Sequence, residues 1–348
     1  LITENLDEDI YISRNNLNSA LNGDEVVVKR YNDSSGDKPE GKVISIAKRG
    51  NTKFVGVFQK KKDFGFVIAD EEKMTMDIYI PKKKINGARN GQKVVVKIEK
   101  WPEENKKPEG RIIEILGYPN DPHVDVMSVA KSLDIPMEFN KAVKSQAKNL
   151  PQKVSEEEII GRLDLRDLIT FTIDGRDSKD FDDAISLEIS DEGNYILGVH
   201  IADVAHYVEE YGAIDEEAFK RGNSVYLLNK VIPMLPFELS NGICSLNEGV
   251  DRLTLSCIME VNREGEVVKY NIKESVINSH KRLVYDDVSD YLENGVVHES
   301  LRGIENILDN MYELSKLLQK KREEGGAIDF DIPEVVIDVD EKGWPKDI

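Results

Sequence analysis

Five aspartates, Asp174, Asp177, Asp180, Asp182 and Asp183, stand within ten residues of the stretch Thr172-Ile-Asp-Gly-Arg-Asp-Ser-Lys-Asp-Phe-Asp-Asp-Ala184. Carboxylates this close repel one another. On a solvated turn that costs little; between two strands entering a core it is costly unless a cation neutralises it. Spacing narrows the choice of cation. A helix-loop-helix calcium loop needs acidic residues at its first, third and fifth positions, glycine at the sixth and glutamate at the twelfth. Counted from Asp174, the third is Arg176, the fifth Ser178 and the sixth Lys179; counted from Asp180, the sixth is Ile185. Neither fits. No Cys or His lies inside the cluster, which argues against zinc and other soft-ligand metals. An all-oxygen set favours Mg²⁺ or Mn²⁺; Mg²⁺ takes one or two protein carboxylates and completes its shell with water and phosphate. The residues alone leave two readings open, a metal site and an acidic turn.

The elements that must position these carboxylates are short and apolar. Leu168–Ile173 and Ala184–Ile189 read as strands on either side of the cluster, and the turn Asp191-Glu-Gly-Asn194 with Tyr195–Ala202 makes a hairpin of the second. Asp174 then closes one strand while Asp182 and Asp183 open the next, so the three converge at one end of a sheet. Asp180 shares the face of Asp182 if that segment is extended. Further on, Ala213–Arg221 reads as a helix, and Leu253–Val261 and Val267–Val276 as strands joined at Arg263-Glu-Gly265. Residues 300–321 form an amphipathic helix, with Leu301, Ile304, Leu308, Met311 and Leu314 on its apolar face and Gly325-Gly326 as its stop. Ile328–Val339 is β-like.

The 348 residues suffice for two or three domains. Net charge is −19 but unevenly spread: residues 1–150 carry 26 basic against 23 acidic side chains, and residues 151–348 carry 21 against 43. Residues 51–100 alone hold 12 basic against 6 acidic. A locally basic module ahead of a strongly acidic one suggests one part that holds a polyanion and another with a different task. Cys244 and Cys257 lack the spacing of a disulfide framework or a metal site, and the given residues hold no apolar run of membrane length. The expectation is a reduced, cytoplasmic protein with no membrane partner.

The basic module is a repeat. Asp9-Ile-Tyr-Ile12 recurs as Asp77-Ile-Tyr-Ile80, and Leu17-Asn-Ser-Ala-Leu-Asn-Gly-Asp-Glu-Val-Val-Val-Lys29 as Ile85-Asn-Gly-Ala-Arg-Asn-Gly-Gln-Lys-Val-Val-Val-Lys97, both at an offset of 68 residues. Two copies of one small domain follow. The second reads as five strands, Phe54–Phe58, Phe64–Ala69, Asp77–Ile80, Lys93–Lys100 and Gly110–Leu116, which suits a five-stranded OB-type barrel. The first lacks the counterpart of Phe54–Phe66. Phe64 and Phe66 share one strand face, close to Lys60, Lys61 and Lys62. They are either core residues or a platform on which bases stack while the lysines meet phosphates. A polyanion-binding module beside an all-oxygen carboxylate cluster points to metal-assisted phosphodiester hydrolysis.

Two resemblances extend this reading. Phe64-Gly-Phe-Val67 with Asp77-Ile-Tyr-Ile80 is similar to the cold-shock domain, an OB-fold that binds single-stranded RNA. Thr172–Ala184 closely resembles the catalytic motif of the ribonuclease II/ribonuclease R superfamily, as do Val199-His-Ile-Ala-Asp-Val-Ala-His-Tyr-Val208, Ile232-Pro-Met-Leu-Pro236 and Ile243-Cys-Ser-Leu-Asn247. Gly175 and the connector Pro122-His-Val-Asp-Val126 look more like the ribonuclease R branch.

The resemblance implies a processive 3′→5′ exoribonuclease that needs Mg²⁺, or Mn²⁺ in its place, and degrades single-stranded RNA with a free 3′ end to nucleoside 5′-monophosphates. By motif position, Asp174, Asp180, Asp182 and Asp183 match the four active-site aspartates and form the metal site. Asp174 and Asp183 would be direct ligands, Asp182 the residue most critical for cleavage, and Asp180 a support. Asp177 is solvated. Tyr226 falls where the family stacks an aromatic on the 3′-terminal nucleotide. Phe64, Phe66, Lys60 and Lys62 would bind RNA, and Arg252, with Asn247, would contact RNA or the acidic loop. His200 and His206 are structural. Ribosomes or other RNA-decay components are the expected partners.

The implied architecture is multidomain: a partial first cold-shock OB-fold barrel at 1–50, a second at 51–118, a helical connector at 119–160, and part of an α+β RNB catalytic domain at 161–348. Family members continue beyond the point matching Ile348 with a helical half and an S1-type domain. The chain therefore reads as a fragment whose helix at 300–321 lacks a packing partner and whose activity alone is open. The rival reading is a non-catalytic RNA-binding or RNA-chaperone protein.

Overall fold

A computed structural model describes residues 9–31, 39–74, 76–103, 106–228, 230–328, 330, 337–340 and 345–347. The chain divides into two units, the first built mainly from Leu1–Met137 and the second from Glu138–Tyr226 and Lys230–Glu334.

In the first unit, β1 (Tyr11–Ile12), β2 (Glu25–Arg30) and β3 (Glu40–Lys48) form a sheet of order β1-β3-β2. The next five strands are β4 (Lys53–Lys60), β5 (Phe64–Ala69), β6 (Ile78–Pro81), β7 (Lys93–Lys100) and β8 (Glu109–Gly117). They close into a barrel of order β4-β5-β6-β8-β7. Period-2 alternation fills it: Phe58, Val67, Ile78, Ile80, Val94 and Val96 are fully buried. Gly65 is required here, because a Cβ would stand 2.2 Å from the Phe58 ring. The sequence repeat is also a repeat of register. Tyr11 pairs in parallel with Glu40, as Tyr79 does with Glu109, and β2–β3 is antiparallel like β7–β8. Among the described residues, the first copy supplies counterparts of β6, β7 and β8 only. Helix α1 (Val124–Ser132) packs on the barrel through Val124, and Lys131 pairs with Glu114 at 2.7 Å. The connector expected at 119–160 is thus divided between the units.

The second unit opens with α2 (Lys141–Lys148) and α3 (Glu156–Ile159), the latter closed by the Ser155–Glu158 capping box. The strands β9 (Leu163–Asp164), β10 (Phe171–Asp174), β11 (Asp183–Ile189) and β12 (Tyr195–Ala202) follow. Then come α4 (Val204–Tyr207), α5 (Ala213–Arg221), β13 (Val225–Leu227), β14 (Lys230–Ile232), β15 (Asp251–Val261), β16 (Val267–Asn278), β17 (Lys281–Val284), α6 (Tyr285–Asn294) and α7 (Glu305–Glu324). Seven strands form one sheet of order β17-β10-β11-β12-β15-β16-β9. Leu187 and Tyr195 pack against Leu314 of α7 on one face, while Ala184 and Ala202 on the other meet Val143 of α2 and Ile214 of α5.

Helix α7 starts at Glu305 rather than residue 300, because Gly303, at φ +87°, turns the chain first. It ends at Gly325. It does have a packing partner, the sheet, against which Leu308 and Leu314 are both 2% exposed. Most of the β-like run expected at Ile328–Val339 lies outside the described residues.

His200 is fully buried in the sheet. Its Nε2 is 3.0 Å from Ser186 Oγ and its Nδ1 2.6 Å from Ser256 Oγ, which in turn is 2.6 Å from Ser275 Oγ. Burial lowers its pKa to about 4, so the ring is neutral within this network. Cys244 and Cys257 are free thiols, and burial pushes the Cys244 thiol up to about 12. Among the described residues, no helix is long and apolar enough to cross a membrane.

Candidate active site

The aspartate stretch links β10 to β11. Asp174 is the last residue of β10 and Asp183 the first of β11. The strands pair at Phe171 and Ile185, and continuing that register brings Asp174 level with Asp182. Phe181, 5% exposed, anchors the middle of the stretch in the core. Alternation then turns Asp180 and Asp182 away from that core together.

The stretch is held from outside. Ser245 Oγ accepts from the Phe181 N–H at 3.2 Å and donates to the Lys179 carbonyl at 2.9 Å, and Leu246 N–H donates to the Phe181 carbonyl at 2.9 Å. The Ser245 carbonyl accepts from Arg252 Nε at 2.7 Å, while Arg252 Nη1 and Nη2 donate to the carbonyls of Asp251 and Gly242. This corrects the expectation for Arg252 as an RNA ligand. Its side chain is 8% exposed and its donors are engaged by backbone carbonyls, so it supports the acidic loop through Ser245. Asn247 likewise donates to the Ser245 carbonyl, at 3.2 Å. On the other flank, Arg282 of β17 donates to the carbonyls of Gly175 at 2.9 Å and Arg176 at 2.6 Å.

Four of the carboxylates act on one another. Desolvation raises the pKa of Asp174, the charges of Asp183 and Asp180 add to it, and Thr172 and Arg282 oppose it. Asp182 is solvent-exposed, yet surrounding protein still desolvates it, and the charges of Asp180, Asp183 and Asp174 raise its pKa further. Oδ2 of Asp174 is buried with no hydrogen-bond partner among the described residues. A buried, unpartnered carboxylate oxygen among like charges is an acceptor suited to a hard cation. Among the described residues, no three acidic, His or Cys side chains form a ready-made coordination shell.

Tyr226 in β13 is 67% exposed, and its hydroxyl donates to Asp180 Oδ2 at 3.2 Å. Burial and the Asp180 charge raise its pKa, so the hydroxyl keeps its proton. Asp177 is exposed, and Arg176 pairs with Asp287 at 3.2 Å. His206 lies 3.0 Å from Glu158 and 3.3 Å from Arg162, which pairs with Asp203 at 2.7 Å.

The first unit carries a separate aromatic surface. Phe64 and Phe66 are half-buried and point away from the barrel core, since Gly65 and Val67 occupy the inward positions. Their ring centroids are 5.6 Å apart, and Tyr79 lies 5.6 Å from Phe64 and 5.9 Å from Phe66. Lys107 Nζ stands 4.8 Å above the Phe66 ring. A cavity of about 440 Å³ beside them is lined by Phe66, Tyr79, Trp101, Lys100, Lys106 and Lys107 with two glutamates. Lys60 pairs with Gly65 and so projects away from the rings, and Lys62 lies in the hairpin turn. Of the lysines bordering the aromatics, Lys100 ends β7 while Lys106 and Lys107 come from the β7–β8 connection, which sequence proximity did not reveal. Tyr79 was visible within the repeated Asp77-Ile-Tyr-Ile80, and only the barrel's pairing of Phe66 with Tyr79 shows that the rings share a face.

Comparisons with known proteins agree with this architecture. The model of the RNB domain matches residues 162–348, that of the cold shock domain residues 66–140, and that of the ribonuclease B OB domain residues 1–46. The chain is similar to ribonuclease R of Thermotoga maritima, at 45% identity over 351 residues, covering 100% of this chain and 49% of that protein. It is also similar to ribonuclease R of Escherichia coli, at 37% identity, covering 96% of this chain and 41% of that one. Among solved structures, RNase R of Mycoplasma genitalium in complex with ribose methylated single-stranded RNA superposes with a TM-score of 0.91 at 31% identity, covering 97% of this chain and 53% of that chain. The chain spans about half the length of the curated relatives it matches.

Proposed function

The chain belongs to the RNB family, and from that premise we propose that it carries the metal-dependent site of a processive 3′→5′ exoribonuclease that converts single-stranded RNA with a free 3′ end to nucleoside 5′-monophosphates. The observation that carries this reading is the gathering of Asp174, Asp180, Asp182 and Asp183 at one sheet end, with Asp174 Oδ2 buried and unpartnered. Asp174 and Asp183 are the residues that would hold Mg²⁺. Bound there, the ion would supply charge neutralisation and water activation for phosphodiester hydrolysis.

The chain's own residues divide the remaining work. Tyr226 restrains Asp180 with its hydroxyl and leaves an open ring face for a terminal base. Ser245 and Phe181 fix the direction in which Asp180 and Asp182 point. The Phe64–Phe66–Tyr79 platform and its bordering lysines suit a strand with unstacked bases and a charged backbone. RNase R of Mycoplasma genitalium has been solved with single-stranded RNA and with double-stranded RNA, which supports RNA as the polymer bound.

The test uses the full-length polypeptide, 5′-labelled single-stranded RNA and Mg²⁺. Stepwise shortening from the 3′ end is expected, with Asp182→Asn abolishing it while RNA binding is kept. Equal shortening by the wild type and Asp182→Asn would sink the assignment. RNA strand melting without shortening would favour the RNA-chaperone reading instead.

A further inference from the structure

Arg282 lies outside the aspartate stretch. β17 places it in parallel register beside Thr172 of β10. Its Nη2 donates to the carbonyls of Gly175 and Arg176, the two residues that follow Asp174. Its guanidinium lies 5.4 Å from the ring centroid of Phe181, the residue between Asp180 and Asp182. Its own backbone N–H is fixed by Glu248 Oε2 at 3.0 Å. One planar group therefore bonds the backbone just after Asp174 and lies within cation–π range of Phe181, a forked reach that suits an arginine and fits a lysine ammonium poorly.

What the guanidinium leaves unpaired is equally informative. Asp174 is near enough for its charge to matter, yet Asp174 Oδ2 and Arg282 Nε are both buried without a hydrogen-bond partner among the described residues. The arginine bonds to the backbone after the aspartate and leaves that carboxylate oxygen open. We propose that Arg282 is a positioning residue that holds the chain's exit from Asp174 in its cation-accepting conformation without capping the carboxylate. The proposal rests on the metal-site reading above for its consequence and on loop geometry for its mechanism.

A purely electrostatic role predicts the opposite sign. A fixed positive charge beside a cation site weakens metal binding, so removing it would tighten binding. A positioning role predicts that Arg282→Gln and Arg282→Lys both weaken Mn²⁺ binding, by about tenfold or more, as loss of an orienting contact behind a ligand commonly does. Mn²⁺ affinity is measured on this chain by electron paramagnetic resonance. In parallel, tryptic cleavage after Arg176 and Lys179 is timed by mass spectrometry in metal-free protein, where both variants are expected to be cut faster than wild type. Tighter or unchanged Mn²⁺ binding in Arg282→Gln overturns the proposal, as does unchanged cleavage in both variants. If the wild type binds no Mn²⁺, the metal reading fails and the cleavage rates alone decide the positioning role. If circular dichroism shows both variants unfolded, Arg282 is a residue of the core rather than of the loop, and the proposal falls.

Discussion

The hydroxyl of Tyr226 donates to Oδ2 of Asp180 across 3.2 Å, joining an exposed aromatic on β13 to a carboxylate of the aspartate stretch. The bond ties the polar end of the ring and leaves its face open. The two parts are separable by substitution. Tyr226→Ala should weaken binding of a 3′-terminal RNA strand by about 1–3 kcal/mol, the worth of one base stack. Tyr226→Phe keeps the ring and should lose no more than about 1 kcal/mol. Fluorescence anisotropy with RNA ending in a 3′-hydroxyl checks both, and equal losses would mean that the hydroxyl rather than the ring matters.

The crowded carboxylates make the metal-free site a burden on folding. The pKa values of Asp174 and Asp182 are raised in the folded state. The sign follows from proton linkage: a raised folded pKa stabilises below the unfolded value, and that stability is lost as pH rises through the folded pKa. At neutral pH, Asp174→Asn should therefore melt above the wild type when metal is absent. Mg²⁺ at about a hundred times its Kd should stabilise the wild type by about 2.7 kcal/mol and the variant by much less. Calorimetry with and without Mg²⁺ reads both effects.

His200 gives a separate pH response. Its folded pKa is lowered from 6.5 to about 4, so the unfolded chain binds more protons between those values. Stability should be complete above the unfolded pKa and fall as pH drops from about 6.5 towards about 4, by up to about 3 kcal/mol. Urea titrations across this range should show the slope in the wild type and a shallower one in His200→Asn.

On the barrel, Phe66→Ala and Tyr79→Ala should each cost about 1–3 kcal/mol of RNA binding while leaving folding largely intact, because both rings lie outside the core. Phe58→Ala, at a fully buried position, should instead cost about 3–5 kcal/mol of stability. Lys107→Ala should lower the salt dependence of RNA binding by about one phosphate contact. Filter binding at several salt concentrations, paired with thermal melts, separates the three classes.

What could be read from the sequence was what repeats or alternates. The strands Phe64–Ala69 and Lys93–Lys100 match the structure at both ends because apolar alternation and turn residues bound them. The sequence repeat became a repeat of register, Tyr11 with Glu40 and Tyr79 with Glu109, the first member shifted by 68 residues and the second by 69. The aspartate stretch was conspicuous because five like charges between apolar runs is an unusual local pattern. Ser245 and Arg282 were not legible, since each reaches the stretch across 64 residues or more. Of the two roles expected for Arg252, contact with RNA or with the acidic loop, the structure shows the second, because three backbone carbonyls draw the side chain inside behind Ser245.

The parallel seat of β17 beside β10 has a consequence for how the site comes into being. The contact between Arg282 and Gly175 spans 107 residues, and the sheet neighbours β11, β12, β15 and β16 all lie within that span. Bringing such distant partners together carries a loop-closure cost that the local hairpins β11–β12 and β15–β16 avoid. A polypeptide stopping short of Lys281 would display every one of the aspartates and still lack the strand that shapes them. Possession of the motif and possession of the site are therefore acquired at different moments in the life of the chain.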